Sequence, residues 1–174
     1  MRAKPVKSTA HIFDFDDTLI TSDVKTHLYR NGKFVKSLSA ADYNVYKKQP
    51  GDVLDMSDFE NPVIIMNSKK HIMWPLLEEY DRKNDSELYI LTARHEAARI
   101  HIHTFLVTNG IKNLQLENIL CVGDNQGKID IPVEKKIVLE VLAKQHSFSN
   151  YYDDNLDTIE FVKDIPNLNA YLVE

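Results

Sequence analysis

Cysteine is almost missing from this sequence: Cys121 is the only one among 174 residues. An internal disulfide is excluded, and no Cys/His spacing suits a zinc site, so a reducing, cytoplasmic setting is expected. Glycine and proline are sparse, at 5 and 6, which excludes a collagen-like or low-complexity chain. Excess positive charge is lacking too. Against 26 Asp and Glu stand 21 Lys and Arg, for a formal net charge of -5, which excludes a surface built throughout for nucleic-acid phosphates but leaves room for a local basic patch. Long apolar runs are absent. Val63 to Met66 falls far short of the roughly 20 residues that span a bilayer. Arg2, Lys4 and Lys7 precede an apolar run that Asp14, Asp16 and Asp17 interrupt before it could act as a secretory signal. A soluble protein that is not exported and has no membrane partner is expected.

What is present is an ordinary globular composition, 43% hydrophobic and 27% charged, at a length that suits a single domain over 1–174. Five short, mostly apolar runs read as strands buried on both faces: His11 to Phe15, Glu87 to Leu91, Asn118 to Val122, Ser149 to Tyr152 and Asn169 to Val173. Helical patterns separate them. Ala98, Ile102, Phe105 and Leu106 share one face, with Gly110 suited to follow the helix end. Pro132 suits a first helical position, and Ile137/Val141 and Val138/Leu142 are i,i+4 pairs. Met73, Trp74, Leu77 and Tyr80 form another stripe, in which Trp74 reads as core. The alternation predicts an α/β, Rossmann-like three-layer sandwich around a parallel sheet of about five strands, with right-handed crossovers.

The stretch 22–68 breaks that rhythm and reads as a small cap-like insertion after the first strand. Asn31-Gly32 between Thr26 to Tyr29 and Phe34 to Leu38 is a hairpin signal, and Ser39 can cap a short helix through Lys48.

In open α/β sheets ligands bind beyond the carboxyl ends of the strands. Those ends supply Asp14-Phe15-Asp16-Asp17-Thr18, then Thr92-Ala93-Arg94, then Lys135 in the first turn of a helix, then Asp153-Asp154. Each fragment alone has an ordinary structural reading as a turn or cap. Together they bring carboxylates, a hydroxyl and a cation to one edge. Three or four clustered carboxylates repel strongly, which implies an oxygen-loving divalent ion, Mg²⁺.

This set resembles the haloacid dehalogenase superfamily of phosphohydrolases over roughly residues 10 to 160. Ile12-Phe13-Asp14-Phe15-Asp16-Asp17-Thr18-Leu19 is similar to its first motif, Ile90-Leu91-Thr92 to its second, Pro132-Val133-Glu134-Lys135 to its third and Tyr151-Tyr152-Asp153-Asp154 to its fourth. The first is highly specific; the second and third are diagnostic only in company. The resemblance implies that Asp14 attacks phosphorus and forms an aspartyl-phosphate, and that Asp16 protonates the leaving oxygen and then activates water. It implies that Thr92 and Lys135 hold the phosphoryl oxygens, with Thr18 and Arg94 as substrate-binding candidates. Mg²⁺ would be held by Asp14, the backbone carbonyl of Asp16 and a fourth-motif carboxylate, Asp154 matching the usual position better than Asp153. Lys136 neighbours Lys135, but a turn of about 100° separates their directions and only one can face the site; the spacing from Pro132 favours Lys135.

Other motifs carry less. Asp124 after Gly123 competes as a fourth motif but precedes Lys135, out of the family's order, and reads as a turn residue. His95, Arg99 and His103 share a helical face that reads as solvated. Cys121 lacks the Arg of a C-x5-R phosphatase loop, Gly127 standing in its place, and Gly123, Gly127 and Lys128 miss the P-loop spacing.

An insertion under fifty residues long implies a comparatively open site, suited to a bulky or polymeric phosphate, with Lys47, Lys48, Lys69, Lys70 and Arg82 as candidates to line an approach. Thr92-Ala93-Arg94 is similar to the second-motif region of polynucleotide 3′-phosphatases and nucleotidases. The expected substrate is therefore a phosphomonoester on a nucleotide or nucleic-acid end, with a sugar phosphate as the alternative. A receiver-like phospho-switch uses related residues, but there the phosphorylated Asp follows the third strand, not the first.

Overall fold

A computed structural model describes residues 7–124 and 127–174; Arg2 and Lys4 lie outside the described residues. In chain order the elements are β1 (Thr9–Phe13), β2 (Ile20–Thr21), β3 (Thr26–Arg30), β4 (Lys33–Leu38), α1 (Ala40–Val45), β5 (Asp52–Asp55), α2 (Pro62–Met66) and β6 (Lys69–Lys70). They continue as α3 (Trp74–Lys83), β7 (Glu87–Thr92), α4 (Arg99–Thr108), β8 (Ile119–Cys121), α5 (Ile131–Gln145), β9 (Phe148–Asp153), α6 (Leu156–Val162) and β10 (Leu168–Leu172).

Strands β10, β9, β1, β7 and β8, in that spatial order, form one parallel sheet. Its period-two alternation feeds two cores. Phe13, Ile90 and Tyr152 face α3 and α4, meeting Trp74, Leu77, Ile102 and Phe105. Ala10, Ile12, Leu91 and Tyr151 face α5 and α6, meeting Leu139, Leu142, Ile159 and Val162. The result is the three-layer α/β sandwich expected, with β1 as the middle strand. Trp74 is core, edge-on to Phe105, and Gly110 follows α4 with a φ of 97°, a value that suits glycine after a helix end.

Boundaries moved for identifiable reasons. β1 ends at Phe13 rather than Phe15, because the Phe15 carbonyl accepts from the amides of Leu19 (3.0 Å) and Ile20 (3.1 Å) and folds the chain into a tight loop. Pro132 sits in the first turn of α5 behind Ile131, and Asp130 caps that helix by accepting from the Val133 amide at 3.4 Å.

Residues 22–68 lie between β2 and β6, which pair antiparallel with Thr21 opposite Lys69. Inside, β4, β3 and β5 make a separate antiparallel sheet. Asn31 and Gly32 both have positive φ, 50° and 76°, as a two-residue hairpin turn matched to strand twist requires. Ser39 caps α1 through a reciprocal box with Asp42. The helix stops at Val45, short of Lys48, because Tyr46 turns away and its hydroxyl donates to Asp52 (2.6 Å), which also binds Arg30 (2.7 Å) and the Gln49 amide (2.7 Å). That Asp52 knot also fixes β5, a strand too short and too acidic at its ends for the sequence pattern to reveal.

Candidate active site

Asp14 follows β1 on the side of Ala10 and Ile12, the face covered by α5. Asp153 ends β9 two residues after Tyr151 and therefore on that same face. Lys135, in the first turn and a half of α5, reaches between them: its Nζ donates to Asp14 Oδ1 and to Asp153 Oδ2, each at 2.8 Å. All three side chains are buried. Tyr151 donates its hydroxyl to Asp153 Oδ2, and the Asn155 amide donates to Asp153 Oδ1 at 2.8 Å. Lys136 points elsewhere, its Nζ 4.6 Å from the centre of the Phe161 ring.

Burial works against the charge on Lys135, but Asp14, Tyr151 and Asp153 outweigh it and hold the ammonium well above the ordinary lysine range. Burial pushes the Asp14 carboxyl upward, Lys135 pulls it down, and Asp153 pushes it up again. Asp154 is more exposed, and burial together with the charge of Asp153 raises it as well. Thr18 donates to Asp154 across 3.4 Å. Oxygens of Asp14, Asp153 and Asp154 lie within 4.8 Å of one another. Asp14, Asp153 and Asp154 thus offer an all-oxygen set of the kind that could hold a hard divalent cation such as Mg²⁺.

The Asp16 carboxylate is not in that cluster. Arg94 takes it in a two-pronged pair, Nε to Oδ2 at 2.8 Å and Nη2 to Oδ1 at 2.7 Å, while Nη1 donates to the Phe59 carbonyl at 2.6 Å. Arg94 is 1% exposed and lies 5.4 Å from the ring centres of both Phe15 and Phe59. The arginine expected to meet substrate is thus committed to a carboxylate and to the insertion. Thr92 is buried, and its Oγ1 accepts from the Arg94 amide at 3.2 Å.

Several contributors were not evident in the sequence. Phe59, from a short 3₁₀ turn of the insertion, anchors Arg94. Gly123 brings the loop after β8 onto the loop after β7: its amide donates to the Arg94 carbonyl at 3.1 Å, and a Cβ there would lie 1.7 Å from the Ala93 carbonyl oxygen. Tyr151 could have been found by its i,i+2 spacing from Asp153.

The tempting residues outside the motifs have structural partners. Asp124 accepts from the Lys128 amide at 3.2 Å, as a turn residue does. His95 pairs with Glu60 at 3.0 Å. Burial, reinforced by Glu96, pushes the Cys121 thiol up to about 12, away from nucleophilic use. Lys47, Lys48, Lys69, Lys70 and Arg82 do not border the cavity in front of Asp14; Lys70 instead pairs with Glu78. That cavity, about 290 Å³, lies between the strand ends and the insertion, which supplies Val24, Thr26, Leu38, Tyr43 and Met56 to its wall. The insertion therefore supplies part of the wall of this cavity. No helix among the described residues is long and apolar enough to cross a membrane.

No protein-family model matches this sequence, and no curated protein does. The chain spans less than half the length of the chains it matches among solved structures. One belongs to the structure of the Pnkp1/Rnl/Hen1 RNA repair complex, with TM-score 0.59 and 16% identity over 96% of this chain and 42% of that one. The other, from the structure of the Pnkp1/Rnl/Hen1 complex, gives TM-score 0.60 and 15% identity over 96% of this chain and 46% of that one, so the likeness is one of fold.

Proposed function

We propose that this chain is a Mg²⁺-dependent phosphomonoesterase of the haloacid dehalogenase type, acting on a nucleotide or on the terminal phosphate of a nucleic acid. The observation that carries the reading is Lys135 bridging Asp14 and Asp153 at 2.8 Å, at the carboxyl end of the middle strand, with Asp154 alongside. The fold likeness to chains of an RNA repair complex is in keeping with a nucleic-acid substrate.

In this reading an Asp14 oxygen attacks phosphorus, and the bond to the leaving oxygen breaks. Asp16 gives that oxygen a proton, then takes one from the water that attacks the aspartyl-phosphate, releasing inorganic phosphate and restoring Asp14. Lys135 spends two of its three N–H bonds on carboxylates and has the third to give to a phosphoryl oxygen. Thr92 accepts from the Arg94 amide and keeps its own hydroxyl hydrogen to donate to a phosphoryl oxygen. Arg94 fixes the direction of the Asp16 carboxylate without itself handling the proton. A bound Mg²⁺, held by Asp14, the Asp16 carbonyl, Asp153 and Asp154, would offset charge between the phosphoryl group and the nucleophile.

The test is hydrolysis of nitrophenyl phosphate by purified wild-type protein and Asp14→Asn, each with Mg²⁺ and with excess chelator. Turnover only by the wild type with Mg²⁺ supports the reading; equal turnover by Asp14→Asn with contaminants excluded overturns it.

A further inference from the structure

The cavity in front of Asp14 has two unlike walls. One is acidic, bordered by Asp14, Asp16, Asp17, Asp124, Asp153 and Asp154. Its permanent cations already face carboxylates, Arg94 on Asp16 and Lys135 on Asp14 and Asp153. The other wall is apolar and aromatic: Val24, Leu38, Tyr43, Met56, Phe59 and Ile129. It is closed at one end where the insertion meets the loop before α5, since a Cβ on Gly127 would lie 3.0 Å from Met56 Cε and 3.1 Å from the Tyr43 hydroxyl.

Resting on the phosphomonoesterase reading, we infer that the leaving group is a flat, uncharged, nucleoside-like alcohol seated against Met56, Tyr43 and Val24, and that the site admits only one phosphate per nucleoside. A phosphoryl group at Asp14 brings negative charge among carboxylates, and one divalent ion with Lys135 offsets it once. A second phosphate on the same nucleoside meets carboxylates and an apolar wall, with no uncommitted cation among the described lining residues. A bare sugar presents hydroxyls that the apolar wall cannot satisfy, whereas a base presents a face that aromatic and thioether side chains pack against. The volume of about 290 Å³ lies at the lower end for small-molecule sites and suits a single nucleoside. A free nucleoside monophosphate offers this unit, whereas a strand end adds a charged phosphodiester to the same nucleoside and counts with the bisphosphates.

The experiment combines binding and turnover. Calorimetry without metal compares adenosine with ribose. Kinetics with Mg²⁺ compare adenosine 3′- and 5′-monophosphate, adenosine 3′,5′-bisphosphate, ribose 5-phosphate and a 3′-phosphorylated dinucleotide, for wild type, Met56→Ser and Val24→Ser. Adenosine is expected to bind about tenfold tighter than ribose. The preferred monophosphate is expected to exceed ribose 5-phosphate, the bisphosphate and the 3′-phosphorylated dinucleotide about tenfold in kcat/KM. Either substitution should shrink the nucleotide-to-ribose ratio, and two variants guard against one that folds poorly. If adenosine outbinds ribose but no phosphomonoester is hydrolysed, the pocket assignment stands and the phosphatase reading falls. If every ester is hydrolysed alike and adenosine binds no better than ribose, the pocket assignment falls and the phosphatase reading stands. Turnover of the bisphosphate equal to that of the monophosphate overturns the single-phosphate rule.

Discussion

Arg94 grips Asp16 with two parallel hydrogen bonds of 2.8 and 2.7 Å while its remaining terminal nitrogen holds the Phe59 carbonyl at 2.6 Å. One buried side chain thereby ties the loop after β7, the proposed proton-transfer carboxylate and the insertion to each other. Lysine cannot copy a planar fork. Arg94→Lys should lower kcat/KM by about 10²-fold on an alkyl phosphate, where leaving-group protonation matters, and much less on nitrophenyl phosphate. Parallel kinetics on the two esters check this; equal losses on both would mean that Arg94 does not act through Asp16.

Lys135 and Lys136 should separate cleanly. Lys135→Met leaves Asp14 and Asp153 buried without their cation, a loss of about 3–5 kcal/mol, and removes a phosphoryl contact. Lys136→Met forfeits only its approach to the Phe161 ring, about 0.5–1 kcal/mol. Melting curves of both variants, with and without Mg²⁺, read the difference, and Mg²⁺ should recover part of the Lys135→Met loss. Similar melting temperatures for the two would contradict the described bridge.

Gly123→Ala drives a Cβ to 1.7 Å from the Ala93 carbonyl oxygen, so the loops that carry Arg94 and Gly123 must part. We expect a loss of about 1–3 kcal/mol, in the range of overpacked sites, with turnover falling alongside as Arg94 shifts. A denaturant titration and an aryl-phosphate assay measure the two effects. Wild-type values in both would show that these loops do not approach so closely.

His11 predicts acid sensitivity apart from the active site. Its ring stacks on Tyr80 at 3.5 Å, and burial is the main cause that lowers its pKa from 6.5 to about 4. Above about pH 6.5 the ring is neutral in folded and unfolded chains alike, and its contribution to stability is complete. As pH falls toward 4 the unfolded chain takes up the proton first, so stability is lost across that window, on the order of 3 kcal/mol at most. His11→Phe keeps the stack and should flatten the fall of melting temperature between pH 6.5 and 4. An unchanged slope would assign the acid sensitivity to other groups.

The strands and their order of chemistry were legible because buried parallel strands leave near-continuous apolar runs and because the polar residues that follow them had to collect at one edge. Asp14, Lys135 and Asp153-Asp154 come together on that account. That Lys135 and Lys136 point apart was legible from helix geometry, and the spacing from Pro132 chose between them. What was not legible depends on contacts distant in sequence. Asp52 drawing in Arg30 and Tyr46 cut α1 short and created β5, although local propensity allowed a longer helix. Arg94 reads alike in sequence whether it meets a phosphate or a carboxylate; its partner was set by Phe59, thirty-five residues away. The walls of the cavity were hidden for the same reason, since Met56 and Tyr43 become neighbours of Gly127 only after the insertion folds over the sheet.

The central claim is that Asp14 carries the phosphoryl group. Acid-quenched wild-type protein and Asp16→Asn, mixed rapidly with nitrophenyl phosphate and Mg²⁺, can be digested and read by mass spectrometry for a phosphoryl adduct. The account predicts the adduct on Asp14, transient in the wild type and accumulating in Asp16→Asn because water activation slows more than formation when the leaving group needs no proton. An adduct on another residue, no adduct in either protein during turnover, or a wild-type adduct that persists for minutes and is unaffected by Asp16→Asn would contradict it.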